Sequence, residues 1–311
     1  MNPKVSVIVL VYKAERYIER CARSLFGQTL EDMEYVFVDD CTPDSSMAVL
    51  EDVLRDYPGR AGQVKILHND VNRGQAYSRR RGVEAASGDY IIHCDSDDWP
   101  ESDMYARLYA KASEGDLDMV ICPMRRVYPD HVEPVPDQTH TDDLLESLVY
   151  MDIRHYLLNK LISRKLYDAP VIWPENNMCE DTALIVQLAY YSSNYGFVND
   201  VLYNYTFSPD SISSIKGSME KVEQIRANVE LAISFLDSKG LTEKYRGAIM
   251  HLKCWAKFAA LQLPRKYYLS LYPEANLPFF TDRRFTFAER LGHLTKILGI
   301  HGISKPFRRS R

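Results

Sequence analysis

Asp95-Ser96-Asp97-Asp98 sets three carboxylates within four residues, where the apolar run Tyr90-Ile91-Ile92 gives out. A strand that stops in clustered acids is poor material for a core and good material for holding a cation. Hard divalent ions such as Mg2+ take oxygen ligands, keep several waters, and are bound through one or two carboxylates plus the phosphates of a substrate. The cluster therefore points to a metal-diphosphate site. The structural alternative is local: Asp and Ser at a strand end also make Asx turns, and Asp98 ahead of Trp99-Pro100 would start the next helix.

The segments around the cluster decide how it is placed. Val5 to Tyr12, Tyr35 to Asp40, Val64 to His68 and Tyr90 to Asp95 read as strands. After the first, Tyr17, Ile18, Cys21 and Leu25 recur at helical spacing, with Glu15, Arg16, Glu19, Arg20 and Arg23 on the other face. Asp44-Ser45-Ser46 supplies an N-cap for a second helix with Met47, Leu50, Val53, Leu54 and Tyr57 as its buried stripe, stopped by Pro58-Gly59. A third helix, from about Gln75 to Ala86, carries Arg79, Arg80 and Arg81. Such β-α repetition predicts a largely parallel sheet with helices on its faces. Ligands of open sheets gather at the carboxyl ends of the strands, the edge where Asp39, Asp40, Asp95 and Asp97 would all arrive.

Beyond Pro100 the pattern changes. A helix from Ser102 to Ala112, a short strand from Asp118 to Cys122 and an extended Pro-rich stretch from Tyr128 to Gln138 are expected. Strand-like runs at Asn159 to Tyr167 and Phe197 to Phe207 flank a helix that starts at Glu180-Asp181-Thr182 and ends near Tyr191. Helices follow at Val222 to Leu236, Glu243 to Leu261 and Phe285 to Leu298.

Composition bounds the function. In 311 residues, 46% hydrophobic and 11% aromatic content is ample for a core. The net charge of -5 leaves no electrostatic footprint for wholesale nucleic-acid binding. Six dispersed cysteines, with no C-x-x-C pair, fit a reduced compartment and no zinc site. No run approaches the roughly 18 apolar residues of a membrane span, so a cytosolic or peripheral protein is expected.

Taken in order, Val7-Ile8-Val9-Leu10-Val11-Tyr12, Gln28-Thr29, Val38-Asp39-Asp40-Cys41-Thr42, Asn72-Arg73-Gly74 with Ser78-Arg79, and Gly88-Asp89-Tyr90 leading into Asp95-Ser96-Asp97-Asp98 closely resemble the family 2 glycosyltransferases of GT-A fold. The resemblance spans roughly residues 4 to 105, resumes more weakly at Asn159-Lys160-Leu161, Glu180-Asp181 and Tyr203 to Ser213, and then fades. It implies an inverting transferase that spends a nucleotide-sugar, commonly a UDP-sugar. By that analogy the backbone at Val11-Tyr12 and the Asp39 carboxylate hold base and ribose with Glu15 nearby, and Asp40, Asn72, Gly74 and Ser96 complete the donor pocket. A carboxylate like Asp39 can accept from uracil N3–H or a ribose hydroxyl, or else cap a turn. Arg79 is placed at the nucleotide or diphosphate, against the alternative that Arg79, Arg80 and Arg81 form a solvated basic face.

Asp95 and Asp97 match the D-x-D pair, with Asp97 the direct ligand of Mg2+ or Mn2+ and Asp95 a ribose or water-bridged partner. His93 would share their face if the strand persists, and reads as a core-edge histidine. Glu180-Asp181 matches the acidic pair that contains the catalytic base, assigned to Asp181, although acids in a first helical turn also suit the helix dipole. Two departures stand out: Cys41 replaces a glycine, which restricts the loop backbone, and Ser78-Arg79-Arg80 replaces Ala-Arg-Asn.

The expected architecture is thus α/β: a mixed, mostly parallel sheet flanked by helices over residues 1–215, with a nucleotide-binding half at 1–100, an acceptor half at 101–215, and a helical extension at 216–311. The expected acceptor is a glycan or lipid-linked glycan in cell-surface polysaccharide synthesis. A dinucleotide-binding enzyme is disfavoured because no G-x-G-x-x-G follows the first strand. A nucleotidyltransferase would place a Gly-rich basic loop at Val11-Tyr12-Lys13-Ala14-Glu15, where none exists. A catalytically inactive sugar-nucleotide binder would have no need of Asp95, Asp97 and Asp181. From Thr281 onward, Arg283, Arg284, Arg290, Lys296, Lys305, Arg308, Arg309 and Arg311 face only Asp282 and Glu289, around a stripe of Leu291, Leu294 and Leu298 joined by Ile297 and Ile300. Such a basic amphipathic segment either lies on an anionic bilayer or packs as a last core helix with a solvated end.

Overall fold

The computed structural model describes residues 2–207 and 218–300. Strands and helices alternate through the first third: β1 (Val5–Val11), α1 (Ile18–Phe26), β2 (Met33–Asp39), α2 (Ser46–Arg55), β3 (Val64–His68), α3 (Gln75–Ala85) and β4 (Tyr90–Asp95). The middle comprises β5 (Trp99–Pro100), α4 (Met104–Gly115), β6 (Met119–Ile121), β7 (Met124–Val127), β8 (Val132–Pro134), α5 (Leu144–Val149), β9 (Lys160–Ser163), α6 (Arg164–Tyr167), α7 (Glu180–Tyr191), β10 (Tyr195–Phe197) and β11 (Tyr203–Thr206). The helices α8 (Met219–Ser238), α9 (Arg246–Phe258), α10 (Arg265–Ser270), α11 (Pro278–Thr281) and α12 (Phe287–Leu298) follow.

Seven strands form the main sheet in the order β10-β6-β9-β4-β1-β2-β3. All pairings are parallel except those of β9, which runs antiparallel to β4 and β6. This is the mixed, mostly parallel sheet of a GT-A fold. A second sheet, β5-β11-β7-β8, lies over the end of β4.

Strand alternation sorts the side chains between two cores. Val5, Val7, Val9 and Val11 join Tyr35, Phe37, Ile92 and Cys94 beneath α1, α2 and α4, whereas Ile8, Val36, Val38 and Ile91 meet Val83 of α3 and Leu184 of α7. The second core continues without a break through Val229 of α8, Leu252 of α9 and Phe279 of α11. Helices beyond residue 216 therefore share one interior with the sheet. The expected boundary at 215/216 itself lies outside the described residues, as does the Tyr203 to Ser213 segment after Phe207.

Several expected bounds shift for identifiable reasons. β2 begins at Met33 because the Glu34 carboxylate is buried and accepts from Ser6 Oγ at 2.5 Å, Ser87 N–H at 2.7 Å and Ser87 Oγ at 2.8 Å. The run Asn159 to Tyr167 is strand only over Lys160–Ser163, because its ladder with β4 ends at Ser163 opposite Tyr90 and the chain turns into α6. Phe197 to Phe207 divides between two sheets, Phe197 closing β10 and Tyr203–Thr206 forming β11. At the head of α2 the capping carboxylate is that of Asp44, which accepts from Ser46 N–H at 3.2 Å. Asp98 does not start a helix: Trp99–Pro100 pairs with β11, and α4 begins only at Met104.

α3 is seated on the sheet through Gly82. A Cβ there would stand 2.5 Å from Ile8 Cγ2 and 3.3 Å from Val38 Cγ2. Alanine gains about 1 kcal/mol of helix propensity over glycine, but forcing a methyl into a filled core costs about 1–3 kcal/mol. Gly82→Ala is therefore expected to lower unfolding stability by up to about 2 kcal/mol in urea titration. Higher stability would show that α3 is not held this close.

Candidate active site

The loops after β1 and β2 are laced together. Lys13 N–H donates to Thr42 Oγ1 at 2.8 Å, Glu15 N–H to Asp44 Oδ2 at 3.1 Å, and Ser45 N–H to Glu15 Oε2 at 3.3 Å. Val11 is buried and its carbonyl accepts from Asp40 N–H at 3.0 Å, while Tyr12 stands 40% exposed at the mouth. Cys41 adopts φ 55°, so the left-handed conformation that a glycine would supply is retained by a side-chain-bearing residue, at a cost of about 1–2 kcal/mol. Asp39 ends β2 with its carboxylate accepting from Thr42 N–H at 2.8 Å and lying 2.9 Å from His68 Nδ1.

Asp40 points the other way. It is buried, and its two oxygens accept from Asn69 Nδ2 at 2.7 Å, Arg73 N–H at 2.8 Å and Gly74 N–H at 2.8 Å. Its direct role is to pin the loop that carries exposed Asn72. Gly74 has φ 84°, and a Cβ on it would lie 2.3 Å from Asn177 Nδ2. That close approach lets Asn177 Oδ1 accept from Ala76 N–H at 3.0 Å and cap α3.

α3 carries Arg79 into the interior. Its guanidinium reaches Glu180 Oε1 of α7 through Nε at 3.1 Å and Nη2 at 3.0 Å, with both side chains at most 5% exposed. Gln75 Nε2 bonds the same oxygen. Burial works against the Arg79 charge, but Glu180, Asp95 and Asp181 together outweigh it and its pKa is raised. Arg79 is therefore no solvated residue. Arg80 and Arg81 do lie toward the surface, Arg80 paired with Glu84 at 2.7 Å.

Asp95 ends β4 on the α3 face of the sheet, two strands from Asp39, a separation of about 10 Å at the usual interstrand spacing. Burial, then Asp97, pushes its carboxyl up to about 7, with Arg79 opposing. Burial likewise raises Asp97. Ligand oxygens of Asp95, Asp97 and Asp98 fall within 4.8 Å of one another. Asp98 is fully buried and already occupied: Oδ2 accepts from Tyr203 OH at 2.9 Å and Oδ1 from Thr206 N–H at 2.6 Å. The Asp97 carbonyl accepts from Arg20 Nη2 at 2.9 Å and Thr206 Oγ1 at 2.5 Å, and the Arg20 guanidinium lies 3.6 Å over the Trp99 ring. Among the described residues no side-chain donor bonds the carboxylates of Asp95 or Asp97. The donor set is all oxygen, which suits a hard divalent cation. Half-buried Ser96 sits between these acids.

Asp181 follows Glu180 in the first turn of α7, partly exposed and next to the Arg79 pair. Burial and then Glu180 push its carboxyl up to about 7, with Arg79, the Thr182 N–H and Lys160 opposing. Since Glu180 is buried and committed to Arg79 and Gln75, Asp181 is the acid of this pair left partly exposed. Asp39, Asp95, Asp97, Arg79 and Asp181 are thus brought to one edge, whereas Glu15 and Asp40 are tied into loop scaffolding. His93 is buried beneath Asp95, with Nε2 3.4 Å from Tyr167 OH and its pKa driven well down by burial, so it belongs to the core.

Other supporting residues have no role assigned from the sequence, although Lys160 falls in the Asn159-Lys160-Leu161 stretch of the resemblance. Asn228 of α8 donates to the carbonyls of Asn176 and Met178, both at 2.8 Å, and so fixes the turn that leads into α7. Lys160 is fully buried and donates to the Arg154 carbonyl at 2.7 Å, the Tyr156 carbonyl at 2.8 Å and Asn159 Oδ1 at 2.9 Å; burial lowers its pKa to about 8. His155 lies in the loop so held. Its Nε2–H donates to the Leu148 carbonyl at 2.8 Å, leaving Nδ1 to accept from Thr182 Oγ1 at 2.8 Å. Removing one partner of a buried ion pair leaves an unmatched charge, so Glu180→Ala is expected to cost about 3 kcal/mol in urea unfolding. A loss near zero would mean that Asp95 and Asp181 suffice to hold Arg79.

Known proteins resemble this chain in sequence and in fold. The family model described as Glycosyl transferase family 2 matches residues 6–174. The glycosyltransferase EpsJ of Bacillus subtilis is 30% identical over 252 residues, 78% of this chain and 72% of that protein. Staphylococcus aureus TarS 1-349, solved in complex with UDP-GlcNAc, superposes with a TM-score of 0.65 at 18% identity, covering 95% of this chain and 92% of that one. The mannosyltransferase PcManGT of Pyrobaculum calidifontis, solved with GDP-Man and Mn2+, gives a TM-score of 0.57 at 16% identity, over 96% and 88%. The family match covers β2 and β4, the two strands that deliver Asp39 and Asp95 to the common edge, and with it the chain belongs to glycosyl transferase family 2.

Proposed function

We propose that this chain transfers a hexose or N-acetylhexosamine, with inversion, from a UDP-sugar to a hydroxyl of a glycan or lipid-linked glycan during assembly of a cell-surface polysaccharide. The observation that carries the reading is the meeting of Asp95, Arg79, Glu180 and Asp181 at the strand edge where Asp39 also ends. The complexes of TarS with UDP-GlcNAc and of PcManGT with GDP-Man and Mn2+ support a nucleotide-sugar donor.

In this reading Asp39, steadied by Thr42 and facing His68, accepts from the base or ribose, and the Val11-Tyr12 backbone lines the same pocket. Asn72, Gly74 and Ser96 border it, with Asp40 and Glu15 holding its loops in register. Asp97 would be the residue that holds Mg2+ or Mn2+, with Asp95 beside it toward the metal or the ribose, while Asp98 fixes the loop through Tyr203 and Thr206. A divalent cation held there would offset the charge gathering on the departing diphosphate. Asp181 takes the proton of the acceptor hydroxyl as its oxygen bonds the anomeric carbon and the bond from that carbon to the diphosphate oxygen breaks. One displacement suffices, and no covalent sugar-enzyme bond forms. Arg79 keeps the Glu180 charge from lifting the Asp181 pKa further and sets α7 against α3.

Incubation with a panel of UDP-sugars and Mg2+ or Mn2+ is expected to release UDP, with EDTA abolishing release and Asp97→Asn lowering it at least about 100-fold. Asp181→Asn should lower turnover by about 10²–10⁴-fold while donor binding by calorimetry persists. Release that survives both EDTA and Asp97→Asn would remove the metal assignment, and full turnover in Asp181→Asn would remove the base.

The pH dependence carries a defined sign. A base must be unprotonated, and Asp181 is pushed up to about 7. The kcat/KM of the wild type should therefore rise with pH, tenfold per unit below its midpoint near pH 7, and level off above it. A midpoint near 4 would place the base elsewhere.

A further inference from the structure

The last described helix turns its apolar residues outward. At 100° per residue, Phe287, Leu291, Leu294 and Leu298 of α12 share an arc of about 60°. Phe287 is 82% exposed, Leu294 38%, Leu298 59%, and Ile300 just beyond the helix 48%. The docked side is mostly polar. His293 is buried, bonded to Tyr268 OH through Nδ1 and 2.9 Å from the Asn276 carbonyl through Nε2, and Lys296 Nζ bonds the Leu263 carbonyl. Gly292 faces Leu261, and Ile297 is the apolar side chain of α12 packed on the core. The helix is well formed, with a Thr286–Glu289 capping box at its start. A surface helix ordinarily shows the reverse pattern, and an apolar stripe exposed at three of its four positions, with Leu291 half-buried between them, marks an interaction surface.

Charge identifies what meets it. Of the basic residues from Thr281 onward, Arg284 is held by Asp152 at 3.0 Å, Arg290 by the Asp282 carbonyl at 2.7 Å, and Lys296 by Leu263. Arg283 is exposed, and the sequence after Ile300 adds Lys305, Arg308, Arg309 and Arg311 with no acid among them. Two copies joined stripe to stripe would pair segments that each carry, in sequence, eight basic residues against two acids from Thr281 onward. An anionic lipid surface instead satisfies both features, taking the apolar side chains among its acyl chains and the cations among its headgroups. We infer that α12 lays Phe287, Leu291, Leu294 and Leu298 into an anionic bilayer and so holds the chain on the membrane surface. Among the described residues no helix is long and apolar enough to cross a membrane. This surface does not depend on the donor or metal assignments.

The test is flotation of the full chain with vesicles of phosphatidylcholine alone or mixed with phosphatidylglycerol. The chain is expected to float with the mixed vesicles, and added salt should weaken the association. The variant Phe287→Ser/Leu294→Ser/Leu298→Ser, which removes only exposed groups, should bind at least about tenfold more weakly. The variant Lys305→Ser/Arg308→Ser/Arg309→Ser/Arg311→Ser should lose a similar factor on the anionic vesicles and keeps the question open to test if the first variant melts early. No flotation with mixed vesicles, equal binding to neutral ones, or a stripe-dependent dimer in solution that vesicles do not dissociate would overturn the inference.

Discussion

The buried contact between Arg79 and Glu180 is what the rest of the site depends on. Arg79 rises from α3 against the sheet and Glu180 opens α7 about a hundred residues later, with Nη2 and Oε1 3.0 Å apart. Burying either charge alone is costly, and removing one partner of such a pair leaves the other unmatched. Satisfied together, they fix the start of α7 relative to the end of β4. Asp95 and Asp181 then lie on either side of one guanidinium, whose charge opposes the effect of burial on both carboxyls.

This arrangement explains why the scaffold is so extensive. Asp40 holds the loop before α3, Asn177 caps α3 from the turn before α7, and Asn228 of α8 holds that turn in place. The late helices are thus part of what positions Asp181. Tyr203 and Thr206 clamp Asp98, which holds the acidic loop while Asp95 and Asp97 stay partly exposed. The diphosphate site proposed here, held in this way, need not reorganise when the charge arrives.

Much of this was legible in the sequence because the signals were local. The parallel strands showed as apolar runs punctuated by helical patterns, and the acids at Asp39, Asp95 and Asp97 stood where those runs stopped. What was hidden depends on contacts between distant segments. Arg20 looked like a solvent-facing helix residue, yet it reaches the Asp97 carbonyl and stacks on Trp99. Glu34 is a charged residue inside a strand because Ser6 and Ser87 meet it. Asp40, adjacent to Asp39, points inward because strand alternation reverses its direction. Asn177 and Asn228 carry no motif. The stripe of α12 was visible, but whether it faced the core or solvent needed the position of His293, whose polar contacts occupy the docking side.

The central claim is that these acids serve one cation shared with a diphosphate. Calorimetry of UDP binding with and without Mn2+, in the wild type and in Asp97→Asn, addresses it most directly. Reciprocal linkage predicts that Mn2+ tightens UDP binding at least about tenfold in the wild type and not in the variant, and that UDP tightens Mn2+ binding by the same factor. UDP affinity indifferent to Mn2+, or a tightening that persists in Asp97→Asn, would contradict it.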